Sequence, residues 1–336
     1  MPTALVTGCA GFIGSHLSER LLADGYRVIG LDNFDPFYDR AIKQANLAAA
    51  LREPDFVFHD LDLLAGSTAL SKAFADERID VVVHLAAKAG VGPSVREPAS
   101  YLETNVLGTV HLLEWMRLAG VKNLFFASSS SVYGNTEELP FREDMALLAA
   151  CISPYAASKL SAEQLTYTYH HLYKLNVLNA RFFTVYGPRQ RPDLAIHKFA
   201  RLLLAGQPIP VYGDGSTARD YTFVADTVDG VARGVAYLLA HAGTYQTINL
   251  GNSSPVKLLD LIEAVGTAVG VEPVLDRHPM QAGDVEVTYA DISKARQLIS
   301  YNPRTTLAEG LQYFVRWLQK EEVTPAPPLL TSVPAS

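Results

Sequence analysis

Cysteine is nearly absent from this chain: Cys9 and Cys151 are the whole supply in 336 residues. Two thiols in a chain of that length exclude a disulfide framework and point to a reducing compartment, with the cytoplasm as the default. No Cys/His cluster has the spacing of a structural zinc site. His170 and His171 adjoin on a predicted helix and so point in different directions, and no metal is expected. Basic charge is also in deficit, with 28 Lys and Arg against 35 Asp and Glu and a net charge of -7. That argues against nucleic acid as the main partner. Nothing approaches the roughly 18 uninterrupted apolar residues of a membrane span. The opening stretch, MPTALVTGCAGFIG, lacks a basic n-region, and Gly8, Gly11 and Gly14 interrupt its apolar run, unlike a secretory signal. What the chain does have is apolar bulk, 49% of its residues, enough for a sizeable core in one large or two modest domains.

ALVTG, YRVIGLDN, PDFVFHDLD, DVVVHLAA and NLFFASSSSVYG read as short buried strands. Helical spacing separates them, over Phe12 to Asp24, Leu70 to Glu77 and Tyr101 to Ala119. A helix over Pro154 to Tyr173 and a strand at NVLNARFF continue the alternation. Continuous apolar strands alternating with helices predict an α/β fold with a doubly wound parallel sheet, the Rossmann architecture. The texture changes after Tyr186. GPRQRPD is a loop; a helix (Ala195 to Ala205), the strand-like PIPVYGDG, a polar RDYTFVAD, a helix from Thr227 to Leu239, TYQTINLG and a helix near Lys257 to Val269 follow. We divide the chain into a dinucleotide-binding domain over 1–185, with parts of the later chain interleaved, and a smaller mixed region over 186–322. The segment 323–336, rich in proline and small residues, reads as a disordered tail.

VTGCAGFIGSH spaces Gly8, Gly11 and Gly14 three apart, directly after the first strand and at the start of the first helix. Glycines there let the backbone turn tightly and approach a pyrophosphate, whose charge meets the helix N-terminus. Asp32 closes the second strand. A carboxylate there accepts from a ribose 2′-OH and repels a 2′-phosphate, which favours NAD over NADP. Asp60, at the end of the third strand, could reach the adenine or be an ordinary turn residue.

SPYAASK supplies a helix start, with Ser153 to cap and Pro154 at the first position, and puts Tyr155 and Lys159 on one face. The pair could be a plain helix face. It could also be a tuned acid–base: a free phenol titrates near about 10, and about 4 kcal/mol from an ammonium and a cationic nicotinamide would make Tyr155 a usable base. The serine run Ser128 to Ser131 sits at the carboxyl end of a buried strand, the edge where an open α/β sheet presents its ligand.

VTGCAGFIG, HLAAKAGV, SSSSVYG, SPYAASK, RFFTVYGP and RDYTFVAD occur in that order, and with them nearly the whole chain resembles the nucleotide-sugar branch of the extended short-chain dehydrogenase/reductase family. The resemblance implies Ser129, Tyr155 and Lys159 as the catalytic set, with Lys159 also holding the nicotinamide ribose. It implies cofactor contacts from Gly8, Gly11, Phe12, Ile13, Gly14, Asp32, Asn33, Asp60, Leu61, Leu85, Ala86, Ala87 and Lys88, with Asn105 in support. For the sugar nucleotide it implies Ser129, Ser130, Thr184, Arg191, Tyr212, Arg219, Arg277, Asp284 and Thr288. It also implies a homodimer formed through the helices near Tyr101 to Ala119 and Pro154 to Tyr173, with His170, Leu172 and Tyr173 at the contact or in the core.

In that branch the shared first step is oxidation at C4 of a UDP-sugar. Ser130 and Ser131 stand where 4,6-dehydratases carry an acid–base pair, so dehydration is not expected. Ser131 also replaces the glutamate of UDP-glucuronate decarboxylases. What remains is return of the hydride to the other face, a 4-epimerisation. LDNFDPFYDRAIKQANL and GPRQRPDLA resemble UDP-glucuronate 4-epimerases, and Arg191 is the expected partner of the sugar carboxylate. Holding that carboxylate in the plane of the keto group would resist loss of carbon dioxide. Gly92 departs from the pattern, which carries arginine there, and Thr288 falls at a position that gates sugar size. The alternatives are the decarboxylase, an epimerase of another UDP-hexose, and an NAD-binding regulator with a dead site.

Overall fold

The protein is described by a computed structural model over residues 1–145, 151–279 and 286–323. It opens with β1 (Thr3–Thr7), α1 (Phe12–Ala23), β2 (Arg27–Asp32), α2 (Arg40–Leu47), β3 (Phe56–Asp60), α3 (Ser67–Ala73) and β4 (Val81–His84). Then come α4 (Val91–Arg96), α5 (Pro98–Leu102), a π-helical turn (Glu103–Leu107), α6 (Gly108–Ala119), β5 (Asn123–Ser129), α7 (Pro154–Tyr173) and β6 (Asn176–Phe182). The later chain adds β7 (Thr184–Tyr186), α8 (Ala195–Leu204), β8 (Ile209–Tyr212), β9 (Ala218–Phe223), α9 (Val224–Ala240) and β10 (Tyr245–Leu250). It ends with β11 (Pro255–Lys257), α10 (Leu258–Val269), β12 (Leu275–His278), α11 (Ser293–Ile299) and α12 (Leu307–Val323).

Seven strands form one parallel sheet in the order β10-β6-β5-β4-β1-β2-β3. The strands read as unbroken apolar runs because both faces are covered. Successive side chains go to opposite sides: Ala4 and Val6 pack with Leu17 of α1 and Val231 of α9, while Leu5 packs with Leu112 of α6 and Ala162 of α7. The strand order reverses at β1, between β4 and β2. Carboxyl ends of strands on either side of such a reversal frame a crevice.

The sheet is not confined to the first half of the chain. α9 and β10 return to it, with Tyr245 in register with Val177 and Leu250 with Phe182. Outside it, β11-β9-β7 and β12-β8 form two small sheets. Sequence periodicity places α7 at the observed bounds: Ser153 accepts a hydrogen bond from the Ala156 amide at 3.1 Å, and Pro154 occupies the first turn. Two other helices shift. The one expected over Leu70 to Glu77 runs Ser67–Ala73, since Phe74 leaves the helix to bury itself in the core. The one expected from Thr227 begins at Val224, an apolar residue already buried against the sheet. Among the described residues no helix is long and apolar enough to cross a membrane. The tail expected over 323–336 lies, apart from Val323, outside the described residues.

Candidate active site

A cleft of ≈ 450 Å³ opens along the carboxyl edge of the sheet at the β1 reversal. Its floor is the glycine loop. Gly8 sits at φ 75°, and a Cβ there would lie 2.8 Å from the Ala86 amide nitrogen. A Cβ on Gly14 would lie 2.1 Å from the Gly8 carbonyl oxygen. Only glycine lets α1 start this close to β1, and Gly11 brings no capping side chain to its first turn. Among the described residues the first-turn amides of α1 have no side-chain acceptor, which is what an anionic pyrophosphate needs. Asp32 is buried beside this loop, its Oδ2 accepting from the Ala10 amide at 3.1 Å and its Oδ1 from the Phe34 amide at 2.9 Å. Burial pushes its carboxyl up, against those amides and the Lys43 ammonium. These residues fit a dinucleotide: a cradle that any side chain would fill, next to a fixed carboxylate.

Across the cleft, β5 ends in Ser129 and α7 begins with Tyr155. Ser129 Oγ accepts from the Ser131 amide at 3.2 Å and lies near enough to the Tyr155 hydroxyl to favour its ionised form. Tyr101 meets the Tyr155 ring edge-on, 6.2 Å between centroids. Lys159, one turn on, is 4% exposed and donates to the Ala127 carbonyl at 2.8 Å. Burial lowers its pKa to about 8, with Glu163 opposing.

The phenol does not follow the sequence expectation. Burial raises the pKa of Tyr155; Ser129 and then Arg191 pull it down. Lys159 gives one of its three N–H donors to the Ala127 carbonyl, and Arg191 is a second cation whose charge lowers the phenol pKa.

A buried polar layer fixes these groups. Asn105, in the π-helical turn, receives the Lys88 amide on Oδ1 at 2.8 Å and donates Nδ2 to the Lys88 carbonyl and to Ser158 Oγ, both at 2.9 Å. It thus ties the cleft wall after β4 to α7. π-Helical turns recur at functional sites for this reason: they re-aim one side chain within a helix. His84 bridges Thr7 at 2.7 Å and Thr109 at 3.0 Å, and burial lowers its pKa to about 3, leaving a neutral ring.

Arg191 comes from the loop after β7. It lies against the ring of Phe37 at 4.9 Å and lines the same cleft as Tyr155 and Lys159. Thr184, Ser130, Leu61, Leu85, Ala86, Ala87, Lys88, Phe12, Ile13 and Asn33 line it as well. Asp60 does not: it is half-exposed and paired with Arg40 at 3.0 Å. At this end of the cleft the lining carboxylate after β3 is Asp62, which accepts from Asn33 Nδ2 at 2.8 Å and joins Asp32 and Asp35 in the wall.

Tyr212, Arg219, Arg277 and Thr288 are outside the cleft wall, on or beside the small sheets. Arg277 and Val211 are in register across β12 and β8. Arg219 Nη1 donates to the Ala218 carbonyl at 3.0 Å. Thr288 is buried with its hydroxyl accepting from the Asp220 amide at 3.1 Å. Asp284 lies outside the described residues. At Gly92 an added Cβ would meet nothing within 4 Å, so the missing arginine leaves open space. Sequence reasoning missed Asp62, Lys43, Phe37 and Tyr38, all of which line the cleft. For Phe37, Tyr38 and Lys43 the segment 33–43 carried the signal, an aromatic pair and a lysine soon after Asp32.

Residues 5–314 match the family model described as GDP-mannose 4,6 dehydratase. A UDP-glucuronate 4-epimerase of Thermodesulfobacterium geofontis is 41% identical over 320 residues, 95% of this chain and 96% of that protein. UDP-glucuronate 4-epimerase 1 of Arabidopsis thaliana is 39% identical, over 94% of this chain and 76% of its own. The crystal structure of UDP-glucuronic acid 4-epimerase from Bacillus cereus, in complex with UDP-glucuronic acid and NAD, superposes with a TM-score of 0.88. It is 35% identical and covers 95% of this chain and 99% of that one.

Proposed function

The chain belongs to the family of the GDP-mannose 4,6-dehydratase model, within the extended short-chain dehydrogenases/reductases, and on that premise we propose that it interconverts UDP-glucuronate and UDP-galacturonate. It is an NAD-dependent UDP-sugar 4-epimerase, an isomerase. The observation that carries the uronate is the placement of Arg191 in one cleft with Tyr155 and Lys159.

Bound NAD supplies a reversible hydride acceptor. Gly8, Gly11 and Gly14 would hold its pyrophosphate, Asp32 and Asn33 its adenosine ribose, and Lys159 its nicotinamide ribose, with Lys88 a further contact. Tyr155 removes the proton from the sugar 4-OH and later returns one, and Ser129 holds the same oxygen. The phenol starts too basic for this because it is buried; Arg191 and Ser129 lower it. Lys159 must be an ammonium to complete the work.

The sugar turns over between the two proton transfers, so that both faces of C4 meet one reactive edge. Arg191, with hydroxyls from Ser130 and Thr184, holds the C6 carboxylate near the plane of the keto group, where carbon–carbon cleavage is disfavoured. Tyr212, Arg219 and Arg277 are assigned to the UDP, where arginine suits phosphate, and Thr288 to the sugar's size limit. We further assign a homodimer to α6 and α7 with the π-helical turn and α5 before them, where Leu102, Leu107, Leu172 and Tyr173 are exposed. Cys9 and Cys151 are free thiols, in keeping with a cytoplasmic setting.

Incubation with UDP-glucuronate and NAD tests the reading. A product of equal mass is expected, and Arg191→Ala should weaken binding of UDP-glucuronate while sparing that of neutral UDP-hexoses. Loss of carbon dioxide would make it a decarboxylase. No turnover of any UDP-sugar would favour a cofactor-binding regulator.

A further inference from the structure

We propose that Asp193 is a positioning residue that limits how tightly the cleft grips a uronate. Asp193 lies two residues after Arg191 and holds it from the side: Nε donates to Oδ1 at 2.9 Å and Nη2 to Oδ2 at 2.7 Å. Nη2 donates a second time, to the Ala89 carbonyl at 3.2 Å. A guanidinium has five N–H donors. Three are spent here. Among the described residues Nη1 makes no hydrogen bond, so its two N–H groups are what the arginine offers a ligand.

The remaining freedom is small. The Arg191 side chain is 15% exposed and stacked on Phe37, so it cannot swing without losing all three bonds and the ring. A carboxylate ligand therefore meets one nitrogen. The parallel two-bond fork that fixes a carboxylate's orientation is already taken by Asp193. The pair is also neutral as a unit, so it draws a uronate by a local contact and not by a full positive charge.

An epimerase benefits from that restraint. Between its two half-reactions the keto sugar must release this contact, turn and settle again. A full fork would stabilise one of the two poses and slow the exchange. This rests on Arg191 facing the C6 carboxylate, as proposed above.

Asp193→Asn tests it. The variant keeps an oxygen for Nε and removes the counter-charge, and the side chain is 39% exposed, so folding is spared. UDP-glucuronate and UDP-glucose are titrated by calorimetry into the NAD-loaded parent, Asp193→Asn and Arg191→Ala, and kcat and KM are measured with UDP-glucuronate. Asp193→Asn should tighten UDP-glucuronate by about fivefold or more, lowering KM and kcat together, with UDP-glucose unmoved. An unchanged or weaker uronate affinity, or an equal shift for both ligands, overturns the role of Asp193. If Arg191→Ala weakens UDP-glucuronate in that case, the assignment of Arg191 survives and only this inference falls. If Arg191→Ala leaves UDP-glucuronate binding unchanged, both fall.

Discussion

Glu163 and Arg181 form a two-pronged ion pair one helical turn beyond Lys159, with Nε–Oε1 at 3.0 Å and Nη2–Oε2 at 2.8 Å. Their side chains are 4% and 5% exposed. Ser128, next to Ser129, also donates to the Glu163 carboxylate, and Arg181 lies over the Tyr133 ring at 4.8 Å. The pair thus joins α7, β5 and β6 directly behind the proposed catalytic groups.

Breaking such a pair strands a charge. Glu163→Gln should destabilise the protein by about 3–5 kcal/mol, because Arg181 stays buried without its partner. Replacing both, as Glu163→Gln with Arg181→Met, should restore part of the loss. Urea unfolding checks this; costs that simply add would mean the two side chains are not coupled.

Lys159 sets opposite pH trends for activity and stability. Its pKa is about 8 in the folded chain against an ordinary value of 10.5, by burial. As an ammonium it supports the phenol, so kcat/KM should fall as pH rises through about 8. For stability, the unfolded chain binds the extra proton between about 8 and 10.5, so the folded state gains as pH climbs through that window. The cost below it is roughly 3 kcal/mol. Lys159→Met should therefore be inactive yet more stable than the parent at neutral pH, with the difference shrinking toward pH 10.5. A difference that does not change with pH would contradict this.

Tyr155→Phe keeps the ring against Tyr101 and removes the proton carrier. Turnover of UDP-glucuronate should drop by about 10²–10⁴. Affinity for NAD should stay within a few-fold. Turnover at the parent rate would remove the phenol from the reaction.

Gly14→Ala should lose the cofactor before it loses the fold. The added Cβ would press on the Gly8 carbonyl at 2.1 Å, a backbone atom that cannot rotate away. Either α1 slides or the loop opens, and both spoil the cradle. NAD titration should show at least about a tenfold weaker affinity, about 1.4 kcal/mol; parent-like affinity would show that the loop tolerates the shift.

The parts of this protein legible in the sequence are those whose causes are local. Gly8, Gly11 and Gly14 announce a tight turn wherever they fall. Ser153 and Pro154 start a helix by capping chemistry alone, and Tyr155 and Lys159 share a face because four residues make about one turn. Such rules need no knowledge of where the rest of the chain goes. The tertiary structure decided what depends on distance and burial. Only folding places Tyr245–Leu250 beside Asn176–Phe182 in the sheet, turns Asp60 outward while Asp62 lines the cleft, and sets Arg191 between Phe37 and Asp193. The acidity of Tyr155 is the clearest case. Sequence spacing offers it an ammonium, but the energy of an ionised phenol is set by the dielectric around it and by which charges face it, and those are properties of the packed chain.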